Sequence, residues 1–189
     1  MFLQTFSLIG NEMNCQKCGK CCVNVPMTPE EYRRLAERFP AITSAAIDYG
    51  FAVEIHGPCP LLAPDHSCTA YEYRARVCRM FPVVVTGRDE GGFTMGPSDF
   101  CMNAATVTPA DIEAAKKLRL DYNAEMARSW QAFQRTNTNA DQMALNFLAS
   151  RQPWESNNGS SPDVKEARDA LVSVVDNYEA TLVKRRKKA

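Results

Sequence analysis

An α+β fold is predicted for this chain of 189 residues. The expected arrangement is a small, loop-rich domain organised around cysteines, followed by a helical C-terminal extension. Three observations predict it. All eight cysteines lie between Cys15 and Cys101, among most of the prolines and glycines. Short β-branched or aromatic runs bounded by Gly and Pro fall in the same part, as strands do. The remainder lacks cysteine and carries apolar residues at helical spacing. The expected division is 14–105 for the cysteine domain, 106–155 for a helical extension packed on it, 156–161 for a linker and 162–189 for a C-terminal amphipathic helix with a basic tail.

The first helix signal is Thr28-Pro29-Glu30-Glu31. Thr28 can cap, Pro29 suits the first helical position and Glu31 completes a capping box. Tyr32, Leu35, Ala36 and Phe39 then share one face, and Pro40 ends the helix. A short helix is expected over Ser44–Tyr49, stopped by Gly50. Phe51–Ile55 alternates as a short strand. Phe81–Thr86 is a second strand, turned by Gly91-Gly92 into Phe93–Met95 as a hairpin.

Thr108-Pro109-Ala110-Asp111 opens the helical part with another capping box. Ile112, Ala115, Leu118, Tyr122, Met126, Trp130 and Phe133 recur at helical spacing, and the stripe reads as core. A shorter helix is expected over Ala140–Ser150. Ser156–Ser161 reads as a flexible linker. Ser161 caps a last helix, whose stripe of Val164, Ala167, Leu171, Val174, Tyr178 and Leu182 is a candidate docking face for a partner protein.

Acidic and basic residues balance at 22 each, but Lys184, Arg185, Arg186, Lys187 and Lys188 are consecutive. The body without them is acidic, which argues against nucleic-acid binding over the domain surface. The tail has no interleaved aromatics, and its cations suit a helix C-terminus. The first ten residues lack Lys and Arg and have a broken apolar run, a poor match to a secretory signal. No stretch reaches the ~18 apolar residues of a membrane span. A cytoplasmic location is therefore expected, where thiols stay reduced.

In that compartment the cysteines read as metal ligands rather than disulfides. Cys15-Gln16-Lys17-Cys18-Gly19-Lys20-Cys21-Cys22 places three thiols two residues apart, so a tight loop can turn them toward one centre. Gly19 frees the backbone for that turn. The spacing matches the first three ligands of the bacterial ferredoxin run, and Cys59-Pro60 could supply a remote fourth. Cys22 directly follows Cys21, and adjacent side chains usually diverge. One partition gives Cys15, Cys18, Cys21 and Cys59 to one site and Cys22, Cys68, Cys78 and Cys101 to another. A single site with spare thiols is equally allowed. Soft thiolates favour zinc, an iron–sulfur cluster or copper(I) over magnesium or calcium, and zinc or iron–sulfur, with 4Fe–4S for the latter, is expected. The order of spacings does not fit the radical-SAM run.

Cys15-x2-Cys18-x2-Cys21-Cys22, followed by Cys59-Pro60-Leu61, Cys68, Tyr71, Arg74, Cys78-Arg79 and Phe81-Pro82, resembles the YkgJ-type cysteine-cluster family, also described as the CxxCxxCC zinc- or iron-chelating domain. The resemblance covers roughly residues 14–103 and implies metal chelation. Flagellin lysine N-methylases carry a similar cluster, so a metal-dependent enzyme related to protein-lysine N-methylases is an alternative to a redox, metal-handling or structural role. A zinc-stabilised interaction module is another. This chain has Arg74-Ala75 where the family commonly has Arg-Pro, and it has no methyl-donor glycine motif.

Arg79 directly follows a candidate ligand and is expected to bind or tune the cofactor. Arg74 and Arg76 are expected to pair with Asp65, Glu72 or Asp99. His66 and His56 read as loop residues, and Tyr71 and Tyr73 as core or cluster-shielding aromatics. No Ser-His-Asp order or phosphate loop stands out, so no catalytic residue is assigned.

Overall fold

A computed structural model describes residues 18–89 and 92–150. The element order is β1 (Val23–Met27), α1 (Pro29–Arg38), β2 (Ala46–Asp48), β3 (Val53–Pro58), α2 (Arg76–Met80), β4 (Val83–Asp89), β5 (Gly92–Pro97), α3 (Pro109–Thr136) and α4 (Ala140–Ser150). The fold is α+β. The expected linker at 156–161 and helix at 162–189 lie outside the described residues.

Both capping boxes form. Thr28 accepts from the Glu31 amide at 3.2 Å, and the Glu31 carboxylate receives the Thr28 amide at 3.3 Å. Thr108 and Asp111 repeat the exchange at the start of α3. Each box satisfies amides that a helix start leaves unpaired.

β3 is the centre of a three-stranded antiparallel sheet, with β1 and β2 at its edges. The sequence gives little sign of β1, because Pro26 interrupts Val23–Met27. On an edge strand the missing donor faces away from the ladder, so the proline is tolerated. The expected helix over Ser44–Tyr49 does not form. Residues 40–45 make a 3-10 turn, and Ala46, Ile47 and Asp48 pair with Ile55, Glu54 and Val53. Pairing to β3 outweighs a weak local helix preference. β4 and β5 form the expected hairpin, with Val83 opposite Pro97.

Three apolar clusters build the core. Phe51 and Tyr49 pack with Tyr122, Met126 and Trp130 of α3 and Phe147 of α4. Val25, Met27, Leu35, Ile42 and Ile55 form a second cluster, against which Cys59, Cys68 and Cys78 rest. Met80, Val83, Met95 and Ala115 form the third. Val77 of α2 packs against all three. The single turn of α2, which carries Cys78, is therefore wedged at the junction of the core.

Candidate metal centre

Three stretches of chain bring cysteines together. The first is the turn before β1, where the Cys22 amide donates to the Gly19 carbonyl at 2.9 Å. Gly19 has φ +70°, and a Cβ there would lie 3.1 Å from Leu62. The second is the 59–71 loop. The Cys59 amide donates to the Cys22 carbonyl at 2.8 Å, so the β1–β3 pairing continues onto both cysteines. Between them Asn24 adopts φ +48° at a bulge and accepts from the Gly57 amide at 2.9 Å. Leu62 bridges to Cys68, and the Thr69 amide donates to the Leu61 carbonyl at 2.9 Å, folding the loop back on itself. The third is α2 with Cys78.

Cys18, Cys21, Cys22, Cys59, Cys68, Cys78 and Cys101 are all free thiols and all partly exposed. Cys15 lies outside the described residues. The Sγ atoms of Cys21 and Cys22 are 4.0 Å apart. Two thiolates bound at ~2.3 Å on a tetrahedral zinc stand about 3.8 Å from one another, so this vicinal pair nearly spans one edge of such a site. The expected divergence of Cys22 is not seen.

The electrostatics show which thiols share a neighbourhood. Cys21 and Cys22 share a hydrogen bond between their sulfurs, which lowers the Cys21 pKa to about 6, with the Arg74 charge adding to the effect. Cys22 is pushed up by that same bond, by burial and by the fields of Cys21, Cys78 and Cys59. Burial raises Cys59, opposed by a backbone N–H of Leu61, and Cys68 and Cys21 raise it further. Burial likewise raises Cys78, reinforced by Cys59, Cys21 and Cys68 and opposed by Arg74. Cys21, Cys22, Cys59, Cys68 and Cys78 therefore form one electrostatic cluster. It mixes members of both sites in the partition drawn from spacing alone. Cys101 lies in a turn where its amide donates to the Ser98 carbonyl at 3.0 Å.

Among the described residues, no group of three or more His, Cys, Asp or Glu side chains is arranged so that it could hold a metal ion. The chemistry of the donors nevertheless fits a soft metal. Several reduced sulfurs are crowded into partly buried surroundings, where burial and mutual repulsion oppose their ionisation. A bound cation supplies the positive charge that lets such thiols deprotonate.

The cation beside the thiols is Arg74. Its Nε donates to the Tyr71 carbonyl at 2.8 Å, and its guanidinium lies 3.5 Å from the centre of the Tyr71 ring. Tyr71 thus supports the arginine. Tyr73 is 49% exposed, with Arg38 over its ring and Phe39, which flanks the second apolar cluster, 5.8 Å away. His66 is an exposed loop residue with φ +61°, whereas His56, expected in a loop, is an exposed residue of β3. Arg79 follows Cys78 on α2 and is partly exposed.

Sequence spacing missed one group. Arg76 pairs neither with Asp65 nor with Glu72 or Asp99. Its Nε contacts Glu31 at 2.8 Å and its Nη2 contacts Glu125 at 2.6 Å. These partners stand 45 and 49 residues away in the chain, so no local pattern announces them.

Cys21 also borders an open cavity of about 640 Å³. β1, α2 and β4 contribute Val23, Val77, Met80 and Val83 to its walls, with Ser98, Asp99 and Arg119 as polar groups. Among the described residues, no helix is long and apolar enough to cross a membrane.

Residues 14–102 match the family model CxxCxxCC, described as a "putative zinc- or iron-chelating domain". The matched span contains every cysteine of the chain. Neither the curated proteins nor the solved structures give a match.

Proposed function

Given that residues 14–102 belong to the CxxCxxCC family, we propose that this part of the chain is a metal-binding domain whose thiolates hold zinc or an iron–sulfur cluster. The carrying observation is that Cys21 and Cys22 stand side by side, Cys22 pairs through its carbonyl with Cys59, and Cys59, Cys68 and Cys78 rest on one apolar cluster, all as free thiols. Cys15 and Cys18 precede the same turn and complete the donor set. Cys101 is the remaining candidate. Together these eight cysteines suffice for one or two centres. Arg74, and Arg79 beside Cys78, offset the negative charge that ligating thiolates accumulate. The backbone N–H of Leu61, bonded to Cys59, works in the same direction. A reducing, cytoplasmic compartment suits such a site. When bound, an iron–sulfur cluster supplies one-electron chemistry, and zinc supplies structural cross-linking or Lewis acidity.

Anaerobic purification followed by metal analysis and an electronic spectrum tests this reading. Visible absorbance with iron and sulfide identifies the cluster form, and colourless protein with stoichiometric zinc identifies the zinc form. Protein that takes up neither metal after reduction would end the proposal. Cys59→Ser and Cys78→Ser should each abolish loading.

A second reading, metal-dependent catalysis, is favoured by the cavity beside Cys21. A relation to protein-lysine N-methylases requires a methyl donor. Absence of heat on titrating S-adenosylmethionine into the metal-loaded protein would dispose of that version.

A further inference from the structure

We propose that Glu125 of α3, acting through Arg76, is a positioning residue for Cys78, so that docking of the helical extension and loading of the cysteine centre are coupled. The inference rests on the metal-binding reading above.

α2 has five residues and no side-chain cap at its start. A single helical turn is not stable by itself, so its place must be fixed from outside. The Arg76 amide, at its first position, donates to Glu31 Oε1 at 2.8 Å. The Arg76 side chain then spans two carboxylates, with Nε to Glu31 at 2.8 Å and Nη2 to Glu125 at 2.6 Å. Thr28, fully buried, donates its hydroxyl to Glu125 and closes the network. The side chains of Arg76, Glu31 and Glu125 are 14%, 7% and 22% exposed, so water screens the charges little. Cys78 follows Arg76 by two residues on this same turn.

The network joins parts with different standing in the sequence. Thr28, Glu31, Arg76 and Cys78 lie within residues 14–102, and Glu125 lies outside that match. One carboxylate of the extension therefore completes the anchoring of a cysteine in the domain. Coupling of this kind is reciprocal: whatever draws Glu125 away loosens Cys78, and a metal that fixes Cys78 favours the docked α3.

The experiment uses the full chain with zinc as the probe. Wild type is compared with Glu125→Gln and with Thr108→Ala, which weakens the exposed cap of α3 without touching Arg76. Zinc dissociation constants are measured by chelator competition. Iodoacetamide labelling of Cys78 relative to Cys59 is followed by mass spectrometry in the metal-free protein. Glu125→Gln should raise the zinc dissociation constant about 10- to 100-fold, the usual effect of losing a group that orients a ligand. It should also speed Cys78 labelling, while Thr108→Ala changes neither. If Glu125→Gln does not fold, Glu125→Asp keeps the charge but shortens the reach, and the same shifts are expected. A zinc dissociation constant within twofold of wild type overturns the coupling, whatever the labelling shows. If wild type binds no zinc, the zinc form of the metal-binding reading has failed instead. The labelling ratio then decides the positioning role, and an unchanged ratio overturns it.

Discussion

Gly50 has φ +83°, and a Cβ at that position would lie 2.1 Å from the Phe133 ring. The left-handed conformation costs a larger residue ~1–2 kcal/mol, and the ring sits in the aromatic cluster with Phe51 and Trp130. Gly50→Ala should therefore destabilise the protein by at least about 2 kcal/mol, read as a lower urea midpoint with unchanged slope. The vicinal thiols give a second prediction at this scale. Cys21 is lowered to about 6 by the bond it shares with Cys22, whereas burial raises Cys59 and Cys78. In metal-free protein, iodoacetamide should modify the Cys21–Cys22 pair with a midpoint well below the ordinary thiol range. Cys59 and Cys78 should resist until alkaline pH, and equal profiles for all four would contradict the assignment. Individual residues were unevenly legible in the sequence. The thiols of the first motif announce themselves by spacing, whereas Gly50 reads as the stop of a helix that does not form. The contact of Gly50 with Phe133 depends on how the turn between β2 and β3 packs on α3, which no local pattern encodes.

At the scale of elements, α1 and α3 begin with the same capping box but in different surroundings. Thr108 is exposed, and its replacement by Ala should cost about 1 kcal/mol, the ordinary loss for a helix cap. Thr28 is fully buried and also donates to Glu125. Thr28→Ala removes the cap and leaves a partly buried carboxylate short of a donor, so about 2 kcal/mol or more is expected. Chemical denaturation of the two variants checks the order, and equal losses would show that the Glu125 bond contributes nothing. Both helices were readable because caps, prolines and apolar spacing are local signals. The stretch Ala46–Asp48 was misread as helix because its strand character exists only opposite β3. α2 gave no signal at all, since one turn held by Glu31 and by core packing needs no propensity of its own.

For the whole molecule, the thiol cluster sets how stability and metal loading depend on pH. Without metal, the folded state keeps protons on Cys59 and Cys78 at pH values where the unfolded chain releases them. Unfolded thiols ionise near pH 9, so the metal-free fold should lose stability as pH rises beyond that value. Cys21 acts with the opposite sign. Its lowered pKa makes the unfolded state the more protonated one between about 6 and 9, so its contribution grows with pH across that window and is lost as pH falls through about 6. Metal reverses the alkaline trend, because a thiolate held by a cation no longer pays for its charge in burial and repulsion. Zinc binding at neutral pH must then expel the protons of the raised thiols, and affinity must climb with pH. Calorimetric titration of zinc in buffers of different ionisation enthalpy should show release of more than one proton per metal. Cys78→Ser should reduce that number, whereas Cys101→Ser, outside the electrostatic cluster, should leave it unchanged. Zinc uptake without proton release would mean that the ligands are groups already ionised, and the crowded thiols of the three converging segments would not be the site.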